Sequence, residues 1–410
     1  MHVTGTLVPE RSVPGAWSVL VRVALAELFG MALWFGAAAM APQMAPELGF
    51  LSAAAGRLTE AVQIGFVLGT LTSAILTLSD RIPPRVLVAV SALLGALANA
   101  AIAIVPIGPD AALALRFATG FALAGVYPPG MKMLAAWFVR GRGTALGILV
   151  GALTLGKASP YLLNAIGSES WRVNMLTISG MAVVAAALAA TVRPGPYGVG
   201  AAPFDIRKAV LIFRDRPVRL ASFGYFGHMW ELYAMWTWVP VMIRASFELR
   251  GADPRLAEAA SFAVIGAGAL GCMAGGLAAD RIGRTAVTSI ALAVSGACCL
   301  LVGFLYGGPP LLLILLAVVW GASVVADSAQ FSASTTELAD PRYVGSALTM
   351  QVAIGFLLTI VSIRLIPAIL DNVGWEWAFV TLAPGPAFGI WSMLTLRRLP
   401  EAARIAHGRR

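Results

Sequence analysis

Charge is scarce in these 410 residues: Asp, Glu, Lys and Arg together make up 12%, against 59% hydrophobic. A soluble globular chain carries about 25% charged residues, so a water-facing surface cannot be covered here. That shortage excludes a soluble enzyme, a nucleic-acid binder and a disordered chain as first readings. Cysteine is nearly missing too. Cys272, Cys298 and Cys299 all fall inside apolar runs, which leaves no loop pair for a disulfide framework. Only three His occur, and no His, Cys or carboxylate cluster has metal-ligand spacing, so neither metal nor cofactor is expected. The net charge of +9 would suggest polyanionic partners in a soluble chain. In a membrane protein it reflects basic cytoplasmic loops instead.

Long apolar runs are what the chain does have. A spanning helix needs about 20 apolar residues, because the hydrocarbon core is roughly 30 Å thick and each residue rises about 1.5 Å. Twelve runs meet that need, near 19–41, 58–79, 84–106, 111–135, 143–166, 173–192, 218–243, 257–279, 285–307, 309–331, 343–368 and 374–396. The fold class expected is therefore an all-α membrane protein, and an even count places both termini on one side. Most basic residues collect there, including Arg11, Arg22, Arg81, Arg85, Arg140, Arg142 and the run from Arg193 to Arg219. The opposite side holds Arg57, Arg172, Arg244, Arg250 and Arg255. By the positive-inside rule both termini are cytoplasmic, and the expected location is the cytoplasmic (inner) membrane. Ala39-Met40-Ala41 has the look of a signal-peptide cleavage site, but the run before it is too long and Glu27 interrupts it.

The stretch 193–217 is polar and rich in Pro, Gly and Arg, and divides the chain into six spans and six. The expected domains are 1–192, a six-helix bundle; 193–217, a cytoplasmic linker; and 218–410, a second bundle with a short basic tail. The halves share features. Asp80-Arg81 follows span two and Asp280-Arg281 follows span eight, 200 residues on; Trp171 opens span six and Trp375 opens span twelve. Such duplication is a common transporter build, with the substrate path between the halves.

Gly276-Leu277-Ala278-Ala279-Asp280-Arg281-Ile282-Gly283-Arg284 resembles the loop signature of the major facilitator superfamily of secondary transporters. Arg116-Phe117-Ala118-Thr119-Gly120 in span four resembles its second motif. The resemblance implies two pseudo-symmetric six-helix bundles working by alternating access. It also implies gating loops at Asp80, Arg81, Arg85, Asp280, Arg281 and Arg284, where a carboxylate and guanidinium groups can form a breakable clamp. The first copy departs from the signature, with Leu76 for its leading Gly and Pro83-Pro84 for Gly-Arg. Gly147-x-x-x-Gly151 and Gly271-x-x-x-Gly275 allow close helix approach, and spans five and eight are neighbours across the half-interface in that family.

Charges buried in a bilayer cost about 2.5–3.5 kcal/mol each on insertion scales, so each must face protein or water. Lys157 sits halfway along span five among small residues, facing either the cavity or a buried ion pair. His228 and Glu231, three apart in span seven, share a helix face and make a proton-coupling pair, unless His228 merely bonds a backbone carbonyl. Lys132 can snorkel to the cytoplasmic end of span four. Asp327 and Arg364 lie near span ends. Trp230 lies too deep for an interfacial belt and is a candidate for the substrate site; Trp230, Tyr233 and Trp236 spread around span seven, so some face the cavity and some pack. In the resembling family spans one, four, seven and ten line the cavity. Carried over, that marks Glu27, Trp34, Arg116, Tyr127, His228, Glu231 and Trp320, with Lys157 and Gln351 from the flanking spans.

Two cavity bases, Arg116 and Lys157, suggest an anionic substrate, with Glu27, His228 and Glu231 left for protons. Arg142-Gly143-Thr144-Ala145-Leu146-Gly147 looks like the nitrate, nitrite and cyanate branch, although those porters carry an Arg deep in spans two and eight, where this chain has Gln63 and no central base. Gly147, Gly151, Gly156 and Pro160 have the flavour of the drug–proton antiporter motif, with Lys157 in place of its Pro. The leading expectation is proton-linked transport of a small organic or inorganic anion by a monomer in the lipid bilayer, without nucleic-acid partners; drug or metabolite efflux is the alternative. No intramembrane catalytic motif and no repeated filter segment supports an enzyme or a channel.

Overall fold

The computed structural model describes residues 13–50, 53–138, 142–166, 170–197, 214–340 and 344–409. Twelve helical spans follow in order. They are α1 (Ala16–Leu48), α2 (Ala54–Ile75), α3 (Pro84–Ile104), α4 (Pro109–Leu123, resuming as Tyr127–Ala135), α5 (Arg142–Ile166) and α6 (Trp171–Ala190), then α7 (Arg216–Glu248), α8 (Pro254–Ile282), α9 (Arg284–Leu301), α10 (Pro310–Ala326, resuming as Ser328–Leu338), α11 (Val344–Val373) and α12 (Trp375–Ala378, resuming as Pro384–Arg397). No strand occurs among the described residues. A helix satisfies every backbone N–H and C=O within its own segment, which a hydrocarbon solvent demands because it offers no partners of its own. Prolines at the first turns of α3, α4, α7, α8 and α10 start helices where no N–H partner is needed.

Among the described residues, eleven helices are long and apolar enough to cross a membrane. The remaining span, α7, is the one with His228, Glu231, Tyr233 and Trp236. These lower its hydropathy, yet they are buried against protein on all sides of the helix rather than turned to lipid. A span wrapped by protein has no need to be uniformly apolar. Lipid is met by other faces, where Leu97, Ile104, Leu270, Leu277 and Leu311 are exposed.

The first six spans pack with one another and the last six do likewise, and close glycine contacts repeat in both bundles. A Cβ on Gly65 of α2 would run into the Phe117 carbonyl of α4, and one on Gly120 into that of Val62. In the second bundle Gly271 of α8 meets the Ala322 carbonyl of α10, and Gly321 meets that of Val264. This corrects the expectation that Gly271 and Gly275 serve the half-interface. They pack inside the second bundle, because their helix face is turned to α10. Between bundles, α5 lies along α8, with Gly151 facing Ala269 and Leu155 facing Gly266; a Cβ on Gly147 would meet nothing within 4 Å.

The sequence reading treats α4 and α10 as continuous, whereas each breaks, around Ala124–Val126 and at Asp327. Span two also ends earlier, at Ile75, and Leu78–Arg81 forms a separate turn. Hydropathy averages over a window of many residues and does not register such short breaks, even with Asp327 at one of them. Of the linker, residues 198–213 lie outside the described residues. Its start is tied to the end of α4, where Trp137 Nε1 donates to the Arg193 carbonyl at 3.1 Å.

Candidate substrate site between the bundles

Gly156 sets the depth at which α5 meets α1, since a Cβ there would strike the Leu28 backbone. The next residue, Lys157, is 2% exposed. Its ammonium donates to the Tyr233 hydroxyl of α7 at 2.5 Å. It also lies 4.2 Å from the Trp34 ring centroid, 4.7 Å from Tyr233 and 5.1 Å from Trp236. None of the ion pairs among the described residues involves Lys157. Cation–π contacts contribute about 0.5–2 kcal/mol each. Removing an ammonium from water costs several kcal/mol even after relaxation. The rings steady this charge but leave it without a counter-ion. The indole N–H groups of Trp34 and Trp236 are buried beside it without acceptors. Phe66 and Phe356 close one flank, their centroids 5.0 Å and 5.7 Å from Trp34.

Arg116 serves a different end. It is fully buried, and its guanidinium donates to the Leu33 carbonyl at 2.9 Å and to the Trp34 carbonyl, with Asn99 Oδ1 3.5 Å away. Asn99 in turn donates to the Met175 carbonyl and Ser179 Oγ of α6. This network links α1, α3, α4 and α6 and fixes the α1 backbone from which Trp34 projects. Arg116 therefore holds the wall behind the site.

His228 and Glu231 share a face of α7 but reach different partners. His228 Nδ1 lies 2.9 Å from Asp327 Oδ1, in ion-pair range though not aligned as a hydrogen bond, and Nε2 is 2.8 Å from Ser328 Oγ. Both partners sit at the break in α10. Glu231 accepts from Ser295 Oγ at 2.9 Å, from Cys299 Sγ at 3.2 Å and from Trp320 Nε1. Trp320 is thus occupied by a carboxylate. Trp230 turns to α12, donating to the Thr381 carbonyl at 3.2 Å. Tyr127 is half-buried where α4 resumes. Gln351 is fully buried with both amide atoms unpartnered. Glu27 is buried beside Gly130, and its Oε1 has no hydrogen-bond partner. Glu27 and Lys157 are close enough to influence one another electrostatically without touching.

The Asp-Arg loops sit on the face that carries the termini. Asp80 pairs with Lys132 at 2.5 Å, whose stem reaches the interface along α4. Arg81, Arg85, Asp280 and Arg281 are exposed. Arg284 grips Glu337 of α10 with two bonds of 2.9 Å and 2.7 Å and donates to Gln330 at 2.7 Å. Glu337 also accepts the Ala406 amide at 3.0 Å, and Arg409 donates to the Asp280 carbonyl, so the C-terminal tail locks the same corner. On the opposite face the bundles meet directly. Arg364 Nε lies 2.8 Å from Glu60 Oε2, Thr359 donates to Gln63 at 2.6 Å, and Phe66 packs on Phe356 at 4.9 Å. These contacts close the path on the side away from the termini.

The sequence reading names Tyr233 and Trp236 without saying which way they face, and it leaves out Asp327 as the neighbour of His228, Glu337, and the Glu60–Arg364 pair. Each stands out as a polar or aromatic residue within a span, but its partner lies on another helix and no spacing along the chain reveals it.

Two bundles of six helices, closed over a buried polar site at their interface, define a multi-pass membrane transporter. The chain belongs to the Major Facilitator Superfamily, whose profile matches residues 23–326 and 248–410. It is a secondary transporter and not an enzyme. A solved structure of the nucleoside transporter NupG superposes with a TM-score of 0.69 at 13% identity, covering 92% of this chain and 99% of that one. At that identity the likeness shows the fold alone. No curated protein sequence matches the chain.

Proposed function

We propose that this chain carries a small organic or inorganic anion across the cytoplasmic membrane in a proton-linked cycle, binding it at Lys157. The observation that carries the reading is the Lys157 ammonium, buried with aromatic faces and a hydroxyl but no carboxylate, and flanked by the unpartnered indole N–H groups of Trp34 and Trp236. A site rich in donors and short of acceptors is completed by an anion, which supplies the missing counter-charge. Glu27, the His228–Asp327 pair and Glu231 are the groups that take up and release protons. Glu27 couples to the substrate through its field on Lys157. The positive-inside distribution supports cytoplasmic termini. On that orientation, the contacts from Glu60–Arg364 to Phe66–Phe356 are the outer gate, closed here.

Trp34, Phe35, Tyr233 and Trp236 form an aromatic cluster around Lys157, a lining that suits a planar substrate and favours drug or metabolite antiport as the second reading. The NupG likeness adds nucleosides to the compounds worth testing. Uptake into proteoliposomes under an imposed proton gradient separates the readings. Gradient-driven flux of an anion, lost on collapsing the gradient, supports the first. Flux only of uncharged planar compounds supports the second, and no flux for any anion in the panel overturns the first.

A further inference from the structure

Arg364 belongs to a membrane-spanning helix, yet its side chain is 66% exposed even while it pairs with Glu60. The two line a cleft of about 610 Å³ between the ends of α2 and α11 farthest from the termini, with Trp238 among the walls. Arg57 and Asp371 also line it. Arg57 lies over the Phe50 ring at 5.5 Å, and neither Arg57 nor Asp371 takes part in an ion pair among the described residues. Glu60 and Arg364 satisfy one another. The cleft is left with one available cation and one available anion, a zwitterionic pattern.

Below the mouth the surface changes character. Leu68 lies three turns along α2 on the face of Arg57, and Leu357 lies two turns along α11 on the face of Arg364, with Val361 adjoining. These three are 45%, 50% and 53% exposed. The helices run antiparallel, so a charged mouth at headgroup depth opens onto an apolar track descending toward the bilayer midplane. A water-soluble solute would match only the mouth. A molecule with a zwitterionic head and an acyl chain matches both parts.

We propose that this cleft is a lipid site. It takes the headgroup of a zwitterionic glycerophospholipid from the leaflet away from the termini, with the phosphate against Arg57, the ammonium against Asp371 and an acyl chain along Leu68 and Leu357. Because α2 and α11 belong to different bundles, a lipid seated there bridges them and favours the state in which Glu60 and Arg364 are paired.

The test is native mass spectrometry of the full chain, delipidated in mild detergent and titrated with phosphatidylethanolamine. The wild type is expected to keep one lipid adduct, bound about tenfold more tightly than by a Arg57→Gln/Asp371→Asn variant, in line with losing charge-assisted contacts. Water-soluble glycerophosphoethanolamine is expected not to compete. Equal adducts on wild type and variant overturn the proposal, as ordinary annular lipid would behave that way. Full competition by glycerophosphoethanolamine or inorganic phosphate also overturns it, in favour of a soluble-anion site. If the double variant loses its size-exclusion peak, Leu68→Ser/Leu357→Ser, which leaves the charges in place, is read instead; unchanged lipid affinity there overturns the proposal equally.

Discussion

The Lys157 ammonium of α5 donates to the Tyr233 hydroxyl of α7 at 2.5 Å, a buried polar contact that joins the two bundles. Alternating access requires the bundles to move relative to one another, so a polar contact between them is one that the cycle has to break and remake.

Replacing Lys157 with Ala is expected to leave expression intact and weaken anion binding by tenfold or more, about the effect of losing a charge-assisted hydrogen bond in a dry site. Thermal-shift titration of the purified variant with an anion accepted by the wild type reads this directly. Unchanged affinity would remove Lys157 from the site.

Tyr233→Phe keeps the ring face and deletes the hydroxyl. The expected result is a rise in KM of about tenfold to a hundredfold, since a hydrogen bond to a charged group contributes about 1.5–3 kcal/mol, with little change in folded yield. Initial-rate uptake in proteoliposomes distinguishes this from a collapse of the maximal rate, which would assign Tyr233 to the conformational step instead.

Arg116 donates to the Leu33 and Trp34 carbonyls, so Arg116→Ala is expected to act on stability first. Losing these charged hydrogen bonds should cost about 2–3 kcal/mol and lower the unfolding temperature in detergent. Substrate affinity in the folded fraction should stay near wild type. Loss of affinity with an unaltered unfolding temperature would make Arg116 a ligand of the substrate rather than a support for α1.

For Glu27→Gln the expectation concerns coupling. The buried carboxyl, with one oxygen unpartnered, is replaced by an isostere that cannot exchange a proton. Substrate exchange across vesicles without a gradient should persist, while accumulation driven by a proton gradient should disappear. Accumulation at the wild-type level would shift proton transfer to the His228–Asp327 pair or Glu231.

A methyl group on Gly120 would meet the Val62 carbonyl, and that contact is backbone on both sides. Gly120→Ala should therefore force α2 and α4 apart and sharply reduce the folded yield, measured by fluorescence-detected size exclusion. Gly147→Ala, where nothing lies within 4 Å, is the matched control and should express normally.

Much of the fold was legible along the chain because a bilayer imposes a length and an apolar character that composition reports locally. Twelve spans, the duplicated Asp-Arg loops and the depth of Lys157 needed no tertiary information. Hydropathy alone underrates α7, since Trp, Tyr, His and Glu read as polar whether they face water or protein. The breaks in α4 and α10 were invisible for a different reason: each is short and lies inside a long apolar run, so a single Asp327 does not lower the average.

What only the tertiary structure decided was pairing. Arg116 and Lys157 look alike as lone cations in apolar helices, yet one is satisfied by carbonyls of α1 and the other faces rings and a hydroxyl. His228 and Glu231 share a helix face but answer to α10 on one side and to α9 and α10 on the other. Helical periodicity determines the direction in which a side chain leaves its own axis. The group that meets it depends on how neighbouring helices are rotated and how deep they sit, and the glycine contacts of both bundles set that. The scarcity of charge made the sequence a membrane protein; the arrangement of the few buried charges made the site.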